Sequence, residues 1–106
     1  MKLTLISIEG AHRIEIEKNT IVGRHYSCGL RLPWSNVSRQ HCEIKKVNGN
    51  WRVHDLKSLN GTFVNNMPVE EVMLCHGDTL TIGSTNFKVV MTADTPSELN
   101  LPVLPV

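Results

Sequence analysis

The fold is indicated most directly by the stretch CEIKKVNGNWRVH at residues 42–54. On each side of Asn48-Gly49, apolar residues alternate with polar ones, the pattern of a strand with one buried and one solvated face. Asn and Gly both tolerate positive φ, so this pair between two alternating runs is a strong signal for a β-hairpin. The apolar positions are Cys42, Ile44, Trp51 and Val53. The stretch therefore predicts two antiparallel strands joined by a tight turn.

The same period of two recurs on both sides of this hairpin. The alternating apolar positions are Leu3, Leu5, Ile14, Ile16, Leu80, Ile82, Phe87 and Val89. Turn-forming pairs separate the runs at Asn65-Asn66 and at Gly83-Ser84, and no window shows the apolar spacing of a helix. Many short strands at this spacing predict an all-β fold, an antiparallel β-sandwich.

Composition and charge are those of one small globular domain. The chain has 106 residues, of which 41% are hydrophobic and 20% charged, enough for a single core. Its 11 Lys and Arg against 10 Asp and Glu give a formal net charge of +1, too balanced for non-specific nucleic-acid binding. No apolar run approaches the roughly 18 residues of a membrane-spanning helix. We therefore expect a domain that binds neither nucleic acid nor membrane and is monomeric when isolated.

Cysteine usage and the composition of the two ends predict a compartment and a domain boundary. Three cysteines without CxxC spacing differ from the denser, even sets of secreted disulfide scaffolds. The first residues are too short and too strand-like for a signal peptide, so a reducing cytoplasm is expected. From Thr92 onward prolines recur and alternation stops. We expect a domain at residues 1–91 and an extended tail or linker at residues 92–106.

Three polar clusters follow or precede apolar runs, where loops are predicted. They are Gly23-Arg24, Ser38-Arg39-Gln40-His41 and Ser58-Leu59-Asn60-Gly61-Thr62. Arginine supplies a planar fork of donors that matches phosphate oxygens, and serine and asparagine add neutral donors. If the fold brings the three loops together, they form a site for a phosphorylated partner. Taken singly, Arg24 could instead form a surface salt bridge and Ser38 could cap a local turn.

Several motifs, taken in order, give the chain a resemblance to a known family. They are Ile21-Val22-Gly23-Arg24, Ser38-x-x-His41, Asp55-Leu56-x-Ser58-x-Asn60-Gly61-Thr62-Phe63-Val64-Asn65, Gly77-Asp78 and Ile82-Gly83. From about Lys2 to Met91 the chain resembles the forkhead-associated (FHA) domain. The resemblance implies an antiparallel β-sandwich of roughly eleven strands whose loops at one end bind phosphothreonine-containing peptides or proteins in signalling. We therefore expect a recognition domain and not an enzyme, with no cofactor and no metal.

The resemblance also implies roles for particular residues. Arg24 and Ser38 match the family's phosphate contacts. Arg39 matches a position that often adds a phosphate or peptide contact, and Asn60 matches the asparagine that holds the peptide backbone. The residues expected to brace the loops are Gly23, His41, Gly61, Thr62 and Asn65. One departure is Leu59, which offers only its backbone N–H where some members place threonine or another polar residue.

Two other interpretations compete with phosphopeptide recognition. Neighbouring cysteines and histidines suggest a metal site or a thiol enzyme, but a zinc-like ligand spacing occurs only once, at His25-x-x-Cys28. No orienting third group or oxyanion loop accompanies such a pair. The more serious alternative is a β-sandwich that binds a partner through an exposed sheet face, independently of phosphate. A phosphopeptide would displace a phosphate-dependent partner and leave a face-bound one in place.

Overall fold

The alternating runs form β-strands in the structure, a computed structural model that describes residues 2–8 and 12–92. Those residues contain eleven strands and no helix. In chain order the strands are β1 (Lys2–Ser7), β2 (Arg13–Ile16), β3 (Thr20–Gly23), β4 (Leu30–Arg31), β5 (Cys42–Val47), β6 (Asn50–Asp55), β7 (Thr62–Val64), β8 (Met67–Pro68), β9 (Glu71–Met73), β10 (Thr79–Ile82) and β11 (Thr85–Thr92). The predicted all-β fold class is confirmed.

The strands form two sheets. One has six strands in the order β2-β1-β11-β10-β7-β8, and the other has five in the order β4-β3-β5-β6-β9. Their pairings are antiparallel except for β3 with β4, where Val22 lies opposite Leu30 and Gly23 opposite Arg31. The predicted antiparallel sandwich of about eleven strands is therefore confirmed, with this one short parallel pair in addition. Residues 24–29 bring the chain back alongside β3 in the same direction. Such a short connection is sufficient because β4 is only two residues long.

The core lies between the two sheets and is made of the apolar side chains that alternate along the strands. The largest fully buried apolar side chains include Trp51, Phe87, Leu3, Leu5, Ile44, Leu80 and Ile82. Burial of one such side chain stabilises the fold by about 1.5–3 kcal/mol relative to its exposure. The β4–β5 loop also contributes to the core, since Leu32 is 4% and Val37 1% exposed. This loop is therefore anchored at the positions next to Ser38.

The turns that the sequence predicts are found between paired strands. Asn48 (φ 52°) and Gly49 (φ 83°) connect β5 to β6 in the left-handed region that a tight hairpin of this kind requires. Asn65 (φ 53°) and Asn66 (φ 68°) connect β7 to β8 in the same way. Asparagine accepts this conformation more readily than most residues. Gly83 (φ 66°) begins the turn from β10 to β11.

The end of the last strand lies close to the predicted domain boundary. β11 continues to Thr92, which pairs with Lys2 of β1, one residue beyond the predicted limit at position 91. The predicted tail lies outside the described residues from position 93 onward. In the part of the chain that the structure describes, no helix is long and apolar enough to cross a membrane.

Candidate functional site

Three loops meet at one end of the five-stranded sheet because of the way β3, β5 and β6 pair. Val22 lies opposite Cys42, and Cys42 lies opposite Asp55. The C-terminal ends of β3 and β6 therefore lie at the same end of the sheet as the N-terminal end of β5. The loops at this end are residues 24–29, 32–41 and 56–61. The three polar clusters, which are far apart in the sequence, therefore lie at one end of the sheet.

Arg24 is held to the β4–β5 loop by two hydrogen bonds. Its backbone N–H donates to the Ser38 carbonyl at 2.9 Å, and its Nε donates to the Val37 carbonyl at 3.0 Å. Because the Val37 side chain is buried in the core, this carbonyl is a fixed support for the guanidinium. Among the described residues no carboxylate forms an ion pair with Arg24, so the surface salt bridge considered above is not formed there. The terminal amino groups of the fork remain able to bind an anion.

Ser38 connects the β4–β5 loop to the β6–β7 loop. Its hydroxyl oxygen accepts the backbone N–H of Leu59 at 3.0 Å, which leaves the hydroxyl proton to donate to a ligand. The hydroxyl therefore joins the β4–β5 loop to the β6–β7 loop. It does not cap a turn of its own loop, which was the other role considered for Ser38. The N–H that Leu59 was expected to offer to a ligand is occupied by this bond. The Leu59 side chain is 89% exposed.

Asn60 also joins the same two loops. Its Nδ2 donates to the carbonyl of Asn36 at 2.8 Å, and the Asn36 side chain in turn donates to the Ser84 hydroxyl. No hydrogen bond to Asn60 Oδ1 is formed within the described residues, so this oxygen can accept a backbone N–H of a bound peptide. The carboxamide is exposed at the loop surface.

One segment of backbone brings the predicted binding residues together. The carbonyls of Asn36, Val37 and Ser38, which follow one another in the chain, accept from Asn60 Nδ2, Arg24 Nε and Arg24 N respectively. Ser38 itself belongs to this segment. The guanidinium, hydroxyl and carboxamide are therefore placed around three consecutive residues.

His41 supports this segment from inside the protein. The imidazole is 0% exposed, more deeply buried than the half-buried ring that the sequence predicted. Its Nδ1 accepts the backbone N–H of Ser38 at 3.1 Å, so the ring carries its proton on Nε2, which donates to the Gly61 carbonyl at 2.8 Å. One buried ring thus ties the loop that contains Ser38 to the loop that contains Asn60.

Asp55 holds the β6–β7 loop and is absent from the predicted site residues. Its Oδ1 accepts the hydroxyls of Ser58 at 2.5 Å and Thr62 at 2.7 Å, and its Oδ2 accepts the Ser58 backbone N–H at 3.1 Å. The Ser58 hydroxyl also accepts the Gly61 N–H at 3.0 Å. Burial by itself would raise the pKa of Asp55, but the hydrogen bonds from Ser58 and Thr62 outweigh it and lower the pKa. The spacing of Asp55 and Ser58, three residues apart in a loop, is the sequence signal for this role.

Replacement of Asp55 by asparagine tests this support. Asp55→Asn is expected to lower the free energy of unfolding at pH 7 by about 1–2 kcal/mol. The asparagine NH2 group cannot accept a hydrogen bond, so some of the donors of Ser58 and Thr62 would lose their acceptor. The pKa of Asp55 is lower in the folded protein than its ordinary value of 3.8. Its stabilisation is therefore complete above that ordinary value and is lost as the pH falls through the folded-state pKa.

Urea unfolding between about pH 7 and pH 2 measures both effects. The wild type should lose more stability than Asp55→Asn below about pH 4. Glu17→Gln, which removes an exposed carboxylate from the β2–β3 loop, is the matched control and should follow the wild-type curve. A variant that keeps both the wild-type stability and the wild-type pH profile would exclude Asp55 as the support of the loop.

Gly23 and Arg39 are in direct contact at the start of the site. The Arg39 carbonyl accepts the His25 N–H at 3.2 Å and the Cys28 thiol at 3.1 Å, so its position is fixed. A Cβ added to Gly23 would lie 2.1 Å from this oxygen. Glycine is therefore required because the two backbones approach closely. The Arg39 side chain is exposed beside Arg24.

Asn65 lies apart from the other residues that were predicted to brace the loops. It follows the end of β7 that is farther from the site, whereas Thr62 begins that strand. There its Nδ2 donates to Asp78 Oδ1 at 3.0 Å and its Oδ1 accepts the Thr79 N–H at 2.9 Å. Asn65 therefore connects the β7–β8 turn to the start of β10 and does not contact the three loops.

The three cysteines are all free and differ in burial, Cys42 being the buried one. Burial, and secondarily the charge of Asp55, raises the pKa of Cys42 to about 12, so this thiol stays protonated at neutral pH. Cys28 and Cys75 are free. Within residues 2–8 and 12–92, no group of three His, Cys, Asp or Glu side chains is placed to hold a metal ion.

Comparison with known proteins gives the same family as the motifs. Residues 20–83 match the family model described as the FHA domain. The FHA domain-containing protein FhaA of Mycobacterium tuberculosis is 41% identical over 75 residues, which are 71% of this chain and 14% of that protein. The glycogen accumulation regulator GarA of Mycolicibacterium smegmatis is 40% identical over 67 residues, which are 63% of this chain and 42% of that protein. The chain thus spans less than half the length of these curated relatives.

The similarity extends to three-dimensional structure. A solved structure from a structural and functional analysis of phosphothreonine-dependent FHA domain interactions superposes with a TM-score of 0.81 at 35% identity. The superposition covers 88% of this chain and 99% of that chain. The fold is therefore shared over almost the whole of that solved chain.

Proposed function

The chain belongs to the FHA domain family, whose members recognise phosphothreonine, and we propose that it binds phosphothreonine-containing peptides through Arg24, Ser38, Arg39 and Asn60. The observation that carries this proposal is the set of three consecutive carbonyls, at positions 36–38, to which Arg24 and Asn60 are hydrogen-bonded. They hold a cation, a hydroxyl and a carboxamide in one place before any ligand arrives. Such preorganisation reduces the ordering cost of binding.

The chemistry of the phosphate fits these groups. Near pH 7 a phosphothreonine carries close to two negative charges and three acceptor oxygens. Arg24 supplies two terminal amino groups, Ser38 its hydroxyl proton, and Arg39 a second exposed guanidinium. Charge-assisted hydrogen bonds contribute roughly 1.5–3 kcal/mol each. Two or three of them are sufficient for micromolar affinity, about −8 kcal/mol, after ordering costs.

We further propose that the domain holds the phosphate without transferring it. The imidazole beside the site, His41, is fully buried and is hydrogen-bonded to backbone at both nitrogens. A general base needs to reach the proton that it removes, and this ring has no free nitrogen to do so. The function is therefore recognition, and a relative named as a regulator, the glycogen accumulation regulator GarA, supports it.

The biological setting is proposed on the same basis. The domain comprises residues 1–91, acts as a monomer in the cytoplasm, and binds a phosphorylated protein in a signalling pathway; neither nucleic acid nor membrane is its partner. The three cysteines are free thiols, as a reducing compartment requires. The balanced formal charge of +1 supports a partner that is recognised locally and not through a strong overall field.

A degenerate peptide library tests the function directly. The purified domain is presented with random peptides that contain a fixed phosphothreonine, and with the same library carrying threonine. We expect enrichment from the phosphorylated library alone. Enrichment from both libraries would instead support the phosphate-independent sandwich, in which a partner binds an exposed sheet face and a phosphopeptide does not displace it.

Ser38→Ala gives a residue-level test. We expect the variant to bind a selected phosphothreonine peptide about 1–3 kcal/mol more weakly, because it loses a donor to the phosphate and leaves the Leu59 N–H without its acceptor. Ser35→Ala is the matched control, since Ser35 is an exposed serine of the same loop. Isothermal titration calorimetry measures both variants. Equal affinities of Ser38→Ala and the wild type would remove Ser38 from the site.

A further inference from the structure

A strongly basic hollow lies beside the proposed phosphate site. It has a volume of about 220 Å³ and is lined by Arg24, His25, Tyr26, Arg31 and Arg39. Ser38 and Asn60 are not among its lining residues, whereas Arg31 and Tyr26, which the proposed phosphate site does not use, are. Arg24 and Arg39 therefore belong to both the phosphate site and the hollow. Arg31 belongs to the hollow alone and has no role in the function proposed so far.

Hydrogen bonds to the backbone hold the side chains of two of these arginines, Arg31 and Arg24, in place. Arg31 Nε donates to the Arg24 carbonyl at 3.1 Å, and Arg24 Nε donates to the Val37 carbonyl at 3.0 Å. The ion pairs of the described residues involve Lys2, Arg13, Lys45 and Arg52, and none of the three arginines is paired with a carboxylate there. Like charges held together without a counter-ion repel each other, and a bound anion relieves this repulsion.

The remaining lining groups are also hydrogen-bond donors. The His25 Nδ1 accepts the Ser27 backbone N–H at 3.1 Å, so the ring carries a proton on Nε2. Tyr26 is 81% exposed and stacks on His25 with ring centroids 4.4 Å apart, which gives the rim an aromatic surface with a hydroxyl. No acidic side chain lines the hollow. Its chemistry therefore suits an anion next to a peptide chain.

The charges of the two sites together exceed what one phosphate needs. A phosphothreonine brings close to two negative charges, whereas three guanidiniums, those of Arg24, Arg31 and Arg39, line the hollow. Arg31, the one that the proposed phosphate site does not use, has no carboxylate partner among the described residues. A second anionic group of the ligand would complete the charge balance.

We propose that this hollow binds a second anionic group of the phosphothreonine peptide, a carboxylate or a second phosphate within about three residues of the phosphothreonine, and that Arg31 determines this preference. This inference deepens the proposed function and rests on it. The ligand class is an acidic or doubly phosphorylated segment, since both present oxygen acceptors that match a guanidinium fork.

A peptide series distinguishes the two sources of negative charge. Phosphothreonine peptides with an otherwise uncharged sequence carry one Glu at each position in turn from three before to three after the phosphothreonine. At the position where Glu changes the affinity, one further peptide carries a second phosphothreonine. Another carries Gln there and is the uncharged reference for both. Fluorescence anisotropy at fixed salt gives the dissociation constants of the wild type, Arg31→Gln, Arg31→Lys and the remote control Arg13→Gln.

We expect Glu at one or two positions to tighten binding to the wild type about fivefold to tenfold over Gln, and a second phosphate to do so at least equally. Arg31→Gln should reduce this gain to below about twofold, and Arg31→Lys should keep part of it, because a lysine retains the charge without the fork. Arg13→Gln should retain the full gain, since Arg13 lies on β2 and pairs with Glu15.

Binding of the neutral phosphothreonine peptide distinguishes a failure of this inference from a failure of the proposed function. It should bind the wild type and Arg31→Gln within about twofold, because it does not occupy the hollow. If it binds but Glu brings no gain at any position, or the same gain in Arg31→Gln, the hollow is not an anion site and the proposed function stands. An equal loss of the gain in Arg13→Gln would assign the effect to the general field of the protein and overturn the role of Arg31. Absence of binding by the neutral peptide would overturn the proposed function and this inference with it.

Discussion

Arg24→Ala is expected to weaken binding of a phosphothreonine peptide by about 2–5 kcal/mol, or roughly 30-fold to several thousand-fold in the dissociation constant. The variant loses the fork whose terminal amino groups face the ligand, while the phosphate remains a dianion that then lacks its main counter-charge. The fold should survive, because Arg24 is exposed and only its Nε bond to Val37 is lost from the side chain.

Isothermal titration calorimetry with one peptide, together with circular dichroism of each variant, measures this effect. Arg24→Lys keeps the charge and should recover only part of the affinity, since an ammonium cannot bind two phosphate oxygens in the planar arrangement of a guanidinium. Arg13→Ala, an exposed arginine on β2, is the matched control and should bind as the wild type does. A folded Arg24→Ala that binds with wild-type affinity would refute the role of Arg24.

Gly23→Ala is expected to destabilise the fold by about 3 kcal/mol. The added Cβ would lie 2.1 Å from the Arg39 carbonyl oxygen, 2.8 Å from its carbon and 3.0 Å from the Cys28 sulfur. Two of these atoms belong to backbone that is held by hydrogen bonds from His25 and Cys28, so a side-chain rotation cannot remove the clash. The backbones of β3 and the β4–β5 loop would have to separate, and this shift would also displace the site.

Gly49→Ala gives a comparison in which the clash is absent. Gly49 has φ +83° with nothing within 4 Å of an added Cβ, so alanine there is strained by its dihedral alone, at about 1–2 kcal/mol. Chemical denaturation of both variants measures the difference. Gly23→Ala should be the less stable of the two and should also bind phosphopeptide more weakly, whereas Gly49→Ala should keep its affinity. Wild-type stability of Gly23→Ala would show that the two backbones can move apart at little cost.

The strands and their inward faces were predictable from the sequence because each strand has one face against the core. Alternation along residues 42–54 is a local property, and burial of Ile44 and Trp51 follows from it once two sheets pack together. The Asn48-Gly49 turn is equally local, since its φ values depend on the two residues themselves. The parallel pairing of β3 with β4 is not local, because it depends on how a six-residue segment folds back, and the sequence gives no period for that.

The residues of the candidate site were predictable from the sequence, but the hydrogen bonds between them were not. Motif order gave the residues of the three loops, but their hydrogen bonds join segments more than ten residues apart, such as Ser38 with Leu59. The support by Asp55 was missed because a carboxylate at the end of a strand is as consistent with a solvated loop as with an acceptor for Ser58 and Thr62. The contribution of Arg31 to the basic hollow depends on its parallel pairing opposite Gly23, which sequence spacing does not reveal.

The central claim is that Arg24, Ser38 and Asn60 act together on one phosphate. Titration of the isotopically labelled domain with a phosphothreonine peptide, followed by NMR, tests it most directly. The largest shifts are expected at the Arg24 and Asn60 side-chain N–H groups and at the backbone amides of residues 36–39 and 58–61, with none from the threonine peptide. Shifts confined to the outer face of either sheet, or equal shifts with both peptides, would contradict the claim.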